Sequence, residues 1–206
     1  MRSKRNQQLL RMVQLAILTA VVLVLQTAGI VIKIPVLGTP VSLVLIPIAL
    51  GAMILGPAAG AWLGFVFGAQ VYIVCGVMGA DSFTAFLFTH NPIITAGICL
   101  VKSTLAGFLA GYVYRLLKGK NELLAVFLAA AVTPVVNTGV FVLGCLIILK
   151  TITAFATENN LGPALEFIFV GCAGINFALE LAINLIFAPA LQRIIHIVSK
   201  QFSRRA

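Results

Sequence analysis

The chain has 206 residues, of which 61% are hydrophobic and 9% charged, against about 45–50% apolar and about 25% charged in ordinary soluble domains. A water-soluble core of this size cannot hide so much apolar surface, so the expected solvent is lipid, with a single membrane domain over residues 1–206. The formal net charge of +9 does not point to nucleic acid, because the charges cluster between apolar runs as in juxtamembrane segments.

In chain order, a basic end (Arg2, Lys4, Arg5) precedes a first apolar segment from about Met12 to Ile32. The run is long and carries no evident small-residue cleavage site, which favours a retained helix over a signal peptide. A short second segment, about Val41–Leu55, ends at Gly56-Pro57, and a third follows over about Ala58–Val77. Met78–Asn91 reads as a loop. The fourth segment runs from Pro92, a good first residue for a helix, to about Leu116. The fifth covers about Leu123–Leu149 with Pro134 inside it, where a kink is expected. The sixth covers about Leu165–Leu191, and the tail Gln192–Ala206 suits an interfacial amphipathic helix.

A spanning helix needs about 20 mostly apolar residues, so the sequence predicts an all-α membrane protein of six transmembrane helices in one bundle. With six spans, Arg2, Lys4, Arg5, Arg11, Arg115, Lys118, Lys120, Arg193, Lys200, Arg204 and Arg205 share one side. Near the opposite loops stand only Lys33 and Lys150. The positive-inside rule then places both termini in the cytoplasm of a cell with this protein in its plasma membrane.

Small residues recur at helical spacing: Ala16 and Ala20 on segment one, Gly60, Gly64 and Gly68 on segment three, Gly107 and Gly111 on segment four. Such stripes let helix backbones approach closely, either inside the protein or against a partner helix. Spacing alone does not separate the two.

Lys102 and Glu180 are the charges deepest in apolar segments. A buried charge in a membrane requires a partner or water. The pair either locks two helices together or lines a substrate cavity. Neighbouring polar residues favour a cavity. Asn176, Glu180 and Asn184 fall on one face of segment six; Thr133 and Asn137 pair on segment five; Thr95, Cys99 and Lys102 share a face of segment four. Three adjacent polar stripes suggest a pocket between segments four, five and six. The loop Val77–Asn91, with Asp81, Ser82, Thr84, Thr89, His90 and Asn91 among Phe83, Phe86 and Phe88, reads as its semi-buried lid.

Several chemistries find no support. Cys75, Cys99, Cys145 and Cys172 lie in apolar stretches without paired spacing, so neither zinc site nor disulfide framework is indicated. His90 has no second histidine at ligand spacing, and no metal or other cofactor is expected. There is no GxxxxGK[ST], HExxH or GxSxG motif, hence no P-loop ATP site and no recognisable hydrolytic centre.

The chain resembles the substrate-binding S components of energy-coupling factor (ECF) vitamin transporters. The resemblance covers nearly its whole length. It rests on Ala16-Ile-Leu-Thr-Ala20, on Leu45-Ile-Pro-Ile-Ala-Leu-Gly51 leading to Gly56-Pro57-Ala-Ala-Gly60, and on Gly107-Phe-Leu-Ala-Gly-Tyr-Val-Tyr114. Val136-Asn-Thr-Gly-Val-Phe-Val-Leu-Gly144 and Gly174-Ile-Asn-Phe-Ala-Leu-Glu180 complete it. The resemblance implies a non-enzymatic subunit that binds a vitamin or precursor on the outer face. It would topple beside a transmembrane coupling subunit, driven by two cytoplasmic ATPases. Ala16 and Ala20 would touch the coupling subunit. Lys102, Asn137, Asn176, Glu180 and Asn184, with His90 and Asn91 from the loop, are the expected substrate contacts. Lys102 would suit a carboxylate, as in pantothenate or a folate, and an aromatic loop a ring; the preference here is pantothenate. The alternatives are a self-sufficient secondary transporter with Glu180 and Lys102 as a proton relay, whose usual inverted repeats are not visible, and a non-transporting membrane scaffold.

Overall fold

The computed structural model describes residues 2–31 and 43–204, and these form helices joined by short turns. Lys33, the start of the second predicted segment at Val41, and the last two residues of the tail lie outside the described residues. The helices are α1 (Arg2–Val31), α2 (Leu45–Leu55), α3 (Pro57–Gln70), α4 (Ser82–His90), α5 (Pro92–Leu117), α6 (Glu122–Ile147), α7 (Leu149–Glu158), the single turn α8 (Ala164–Glu166) and α9 (Ile175–Arg204). Two π-helical stretches, Val71–Val77 and Phe167–Gly174, continue α3 and lead into α9.

Among the described residues, five helical stretches are long and apolar enough to cross a membrane: Arg5–Ile30, Pro57–Val77, Pro92–Leu117, Glu122–Ile147 and Ala164–Val198. The second predicted segment is the exception. As α2 it has 11 residues, or roughly 16 Å at 1.5 Å per residue, against a hydrocarbon core of about 30 Å. It touches α1, α3, α5, α6 and α9, and Ile48, Ala49 and Ala52 are fully buried. Gly56, at φ 103°, makes the turn into α3, a backbone conformation that side chains with a Cβ resist.

Close packing explains two of the glycine stripes. A methyl group built on Gly60, Gly64 or Gly68 of α3 would run into the carbonyls of Gly107, Ser103 and Cys99 of α5, respectively. One on Gly111 would lie 2.8 Å from Pro57 Cα and 2.9 Å from the Ala52 carbonyl. These stripes are therefore spent inside the bundle. Ala16 and Ala20 differ: both are exposed on α1, among exposed Met12, Val13 and Ile17. Gln70 fastens α1 to α3, its Nε2 donating to the Leu23 carbonyl and to Thr27 Oγ1, each at 3.0 Å.

Where the sequence suggests a loop over Val77–Asn91, the chain builds α4. Asp81 caps it, its Oδ2 accepting the Thr84 N–H at 2.8 Å. A further short helix, α7, fills the stretch after the fifth segment, with Ile152, Phe155 and Ala156 buried. The predicted tail helix is not separate: α9 runs unbroken through Arg204, Pro189 included.

Among the described residues, three apolar clusters fill the bundle. At one end, α2 packs Ala49 and Met53 against Tyr114, Ala125, Ala129, Leu191 and Ile195. At the other, α4 and α7 bring Phe83, Leu87, Ile152 and Phe155 onto Ile98, Cys145, Phe167 and Ile168. The third joins Val22, Leu45, Ile48, Leu63 and Phe67. Phe67 also forms part of a cavity wall, so this cluster borders the cavity.

Candidate functional site

The cavity has a volume of about 90 Å³, small beside the about 300–1,000 Å³ of sites that enclose drug-sized ligands. Its wall is drawn from α1 (Leu25, Gln26, Gly29), α3 and its π-helical continuation (Phe67, Val71, Cys75), and the capped start of α4 (Asp81, Phe83, Thr84). The rest comes from α5 (Lys102), α6 (Asn137, Thr138, Phe141) and the α9 segment (Cys172, Asn176, Glu180). One ammonium, two carboxyl groups, three side-chain amides, two hydroxyls and three phenyl rings thus meet in one wall of a largely apolar bundle. That combination can orient a small polar molecule and cover its apolar faces.

Four of the residues expected from the sequence to contact substrate share this wall: Lys102, Asn137, Asn176 and Glu180. Lys102 Nζ lies 5.0 Å from the centre of the Phe141 ring, within cation–π range. Asn137, 7% exposed, is held by Ser103, whose Oγ lies 3.4 Å from Asn137 Oδ1. Glu180 is 2% exposed, and its Oε1 accepts from Asn176 Nδ2 at 3.4 Å. The amide of Asn176 turns its nitrogen to Glu180. Its Oδ1 is buried without a hydrogen-bond partner among the described residues, an acceptor available to a ligand donor.

The other three expected contacts stand away from the wall. Asn184 is buried one turn beyond Glu180, and its Nδ2 donates to the Glu180 carbonyl at 2.8 Å. His90 is exposed at the end of α4, stacked on Phe86 with ring centres 4.1 Å apart, and its Nδ1 donates to the Phe86 carbonyl at 2.9 Å. Asn91 ties the start of α5 to α7, its Nδ2 donating to Thr151 Oγ1 at 2.7 Å.

Sequence reasoning missed Gln26, Phe67, Thr138 and Phe141 and placed Asp81, Phe83 and Thr84 only generally in a lid. Gln26 had a readable signal, an amide deep in the first apolar segment, which it shares with Gln14 nearer the basic end. The apolar contributions of α1 and α3 had none, because which helices flank a cavity is decided by packing.

No curated protein and no solved structure matches the chain. A family profile does, over residues 10–192: ECF transporter, substrate-specific component. That span takes in every residue lining the cavity, and the chain belongs to the family of substrate-specific components of ECF transporters.

Proposed function

We propose that the chain captures a vitamin or vitamin precursor in the cavity beneath α4 and releases it inward only in company with a coupling subunit and two ATPases. The family is one of transporter components rather than enzymes, and ATP hydrolysis belongs to the partners. The observation that carries this reading is the cavity itself, where Lys102, Asn137, Asn176 and Glu180 converge inside an apolar bundle. Charged and amide side chains at such depth support a substrate-site reading.

In the proposed orientation α2 counts as the sixth, incomplete span and both termini are cytoplasmic. Exposed Arg5, Arg11, Arg115, Lys118, Lys120 and Arg193 support it, all falling on the inner side under the positive-inside rule. The cavity then opens outward beneath α4 and α7. Ala16 and Ala20 form the coupling face, supported by the exposed apolar surface around them, with Met12 66% and Ile17 59% exposed. Lys102 favours a carboxylate ligand, and pantothenate is the vitamin put forward. Asn184, His90 and Asn91 serve the site through its framework: Asn184 braces Glu180, and Asn91 and His90 anchor the ends of the roof helices.

Reconstitution in sealed vesicles tests the reading. The chain alone should bind ligand without ATP and transport none. Saturable uptake by the chain alone, driven by a proton gradient, would instead make it a secondary transporter.

A further inference from the structure

Lys102 reaches the cavity from α5 and Phe141 from α6, and the ammonium rests 5.0 Å from the centre of the phenyl ring. Phe141 in turn meets Phe83 of α4 edge to face, with ring centres 6.4 Å apart. Phe83 is 3% exposed. It is itself gripped from two further sides, by Phe155 of α7 at 5.1 Å and by Phe167 of the π-helical stretch at 5.4 Å. Phe83, Phe141 and Lys102 all line the cavity.

A lysine side chain has four rotatable carbons and large rotamer freedom. In a cavity that also holds Asp81 and Glu180, a free ammonium would sample several positions. The negative face of an aromatic ring offers a directional seat that attracts the cation and leaves its N–H donors available. A carboxylate seat would occupy those donors. The ring is fixed because the aromatic cluster of the roof fixes it.

We propose that Phe141 is the positioning residue for Lys102, and that Phe83 braces Phe141, so the roof helix α4 and the cavity cation are mechanically linked. The functional consequence, a preference for an anionic ligand, rests on the substrate reading above; the placement of the lysine does not.

The test is reductive methylation of the full-length protein in detergent with ¹³C-formaldehyde, which keeps lysines cationic, followed by NMR of the dimethyl-lysine signals. Lys102→Arg identifies the Lys102 signal by its loss. It should lie upfield of the exposed lysines through the ring current of Phe141. Phe141→Leu should return it to the exposed-lysine position, Phe141→Tyr should keep it upfield, and Phe83→Leu should move it part of the way. A Lys102 signal without an upfield shift, or one unchanged in Phe141→Leu, overturns the proposal. Thermal melts of the same variants separate this from core filling, which would lower stability in Phe141→Leu without moving the signal. In the ligand arm, titration with pantothenate and with its uncharged alcohol, pantothenol, should show about a tenfold loss of pantothenate affinity in Phe141→Leu and a clearly smaller loss for pantothenol; equal losses would mean that the ring serves as cavity wall only. If the wild type binds neither compound, the substrate assignment fails while the NMR result still decides the placement.

Discussion

Gly64 of α3 lies against the backbone carbonyl of Ser103 on α5, too close for any side chain between them. Ser103 also carries the hydroxyl that meets Asn137 Oδ1 in the cavity wall, so helix packing and site geometry share one residue. Gly64→Ala should therefore lose about 1–3 kcal/mol through overpacking and weaken ligand binding as well. Gly97→Ala, with open space where the methyl would go, should change stability by no more than about 1 kcal/mol. Unfolding in mixed micelles, with ligand titration, reads both effects.

Gln70 makes the cross-link between α3 and α1, and its two acceptors, the Leu23 carbonyl and Thr27 Oγ1, both lie on α1. Interhelical hydrogen bonds in membranes average about 0.6 kcal/mol and reach about 1.7. Gln70→Leu should fall in that range. A cycle with Thr27→Val should show coupling between the two positions; strict additivity would mean that the Thr27 contact contributes nothing.

The exposed alanines of α1 give a prediction of a different kind. Ala16→Trp and Ala20→Trp should leave ligand binding intact, since neither residue lines the cavity, yet abolish transport by the assembled complex. A bulky ring prevents close helix approach at a small-residue face. Normal assembly and transport by both variants would place the coupling face elsewhere.

Lys102→Met should weaken binding of a carboxylate ligand by about 2–5 kcal/mol, because the anion then sits poorly compensated in a desolvated site. In the double variant with Glu180→Met, affinity should stay low if Lys102 serves the substrate. Wild-type affinity in the double variant would mean that the lysine only balances Glu180. Isothermal titration in detergent distinguishes the two.

How far the sequence announced this site depends on length scale. Long apolar runs gave α1, α3, α5, α6 and α9, because about 20 apolar residues leave few alternatives in lipid. The short helices α4 and α7 escaped, since nine or ten residues of mixed polarity give no long hydropathy signal. The π-helical stretches escaped too: Val71–Val77 is as apolar as the α-helix it extends. Helical spacing correctly put Asn176 and Glu180 on one face. It put Asn184 on that face as well, but periodicity says nothing of where a cavity ends, and Asn184 lies a turn past it. His90 sits exposed at the end of α4, stacked on Phe86 and outside the cavity wall.

The central claim, that this bundle holds a small vitamin-like molecule in the cavity around Lys102, Asn137, Asn176 and Glu180, is tested most directly by mass spectrometry of what purifies with it. Protein produced in rich medium and washed free of ATP should carry one small molecule in near-stoichiometric amount. The same molecule should be lost from an Asn137→Trp variant, whose indole would fill the cavity. Wild-type protein that carries nothing absent from Asn137→Trp, and that takes up none of the soluble vitamins when they are added back, would contradict the account.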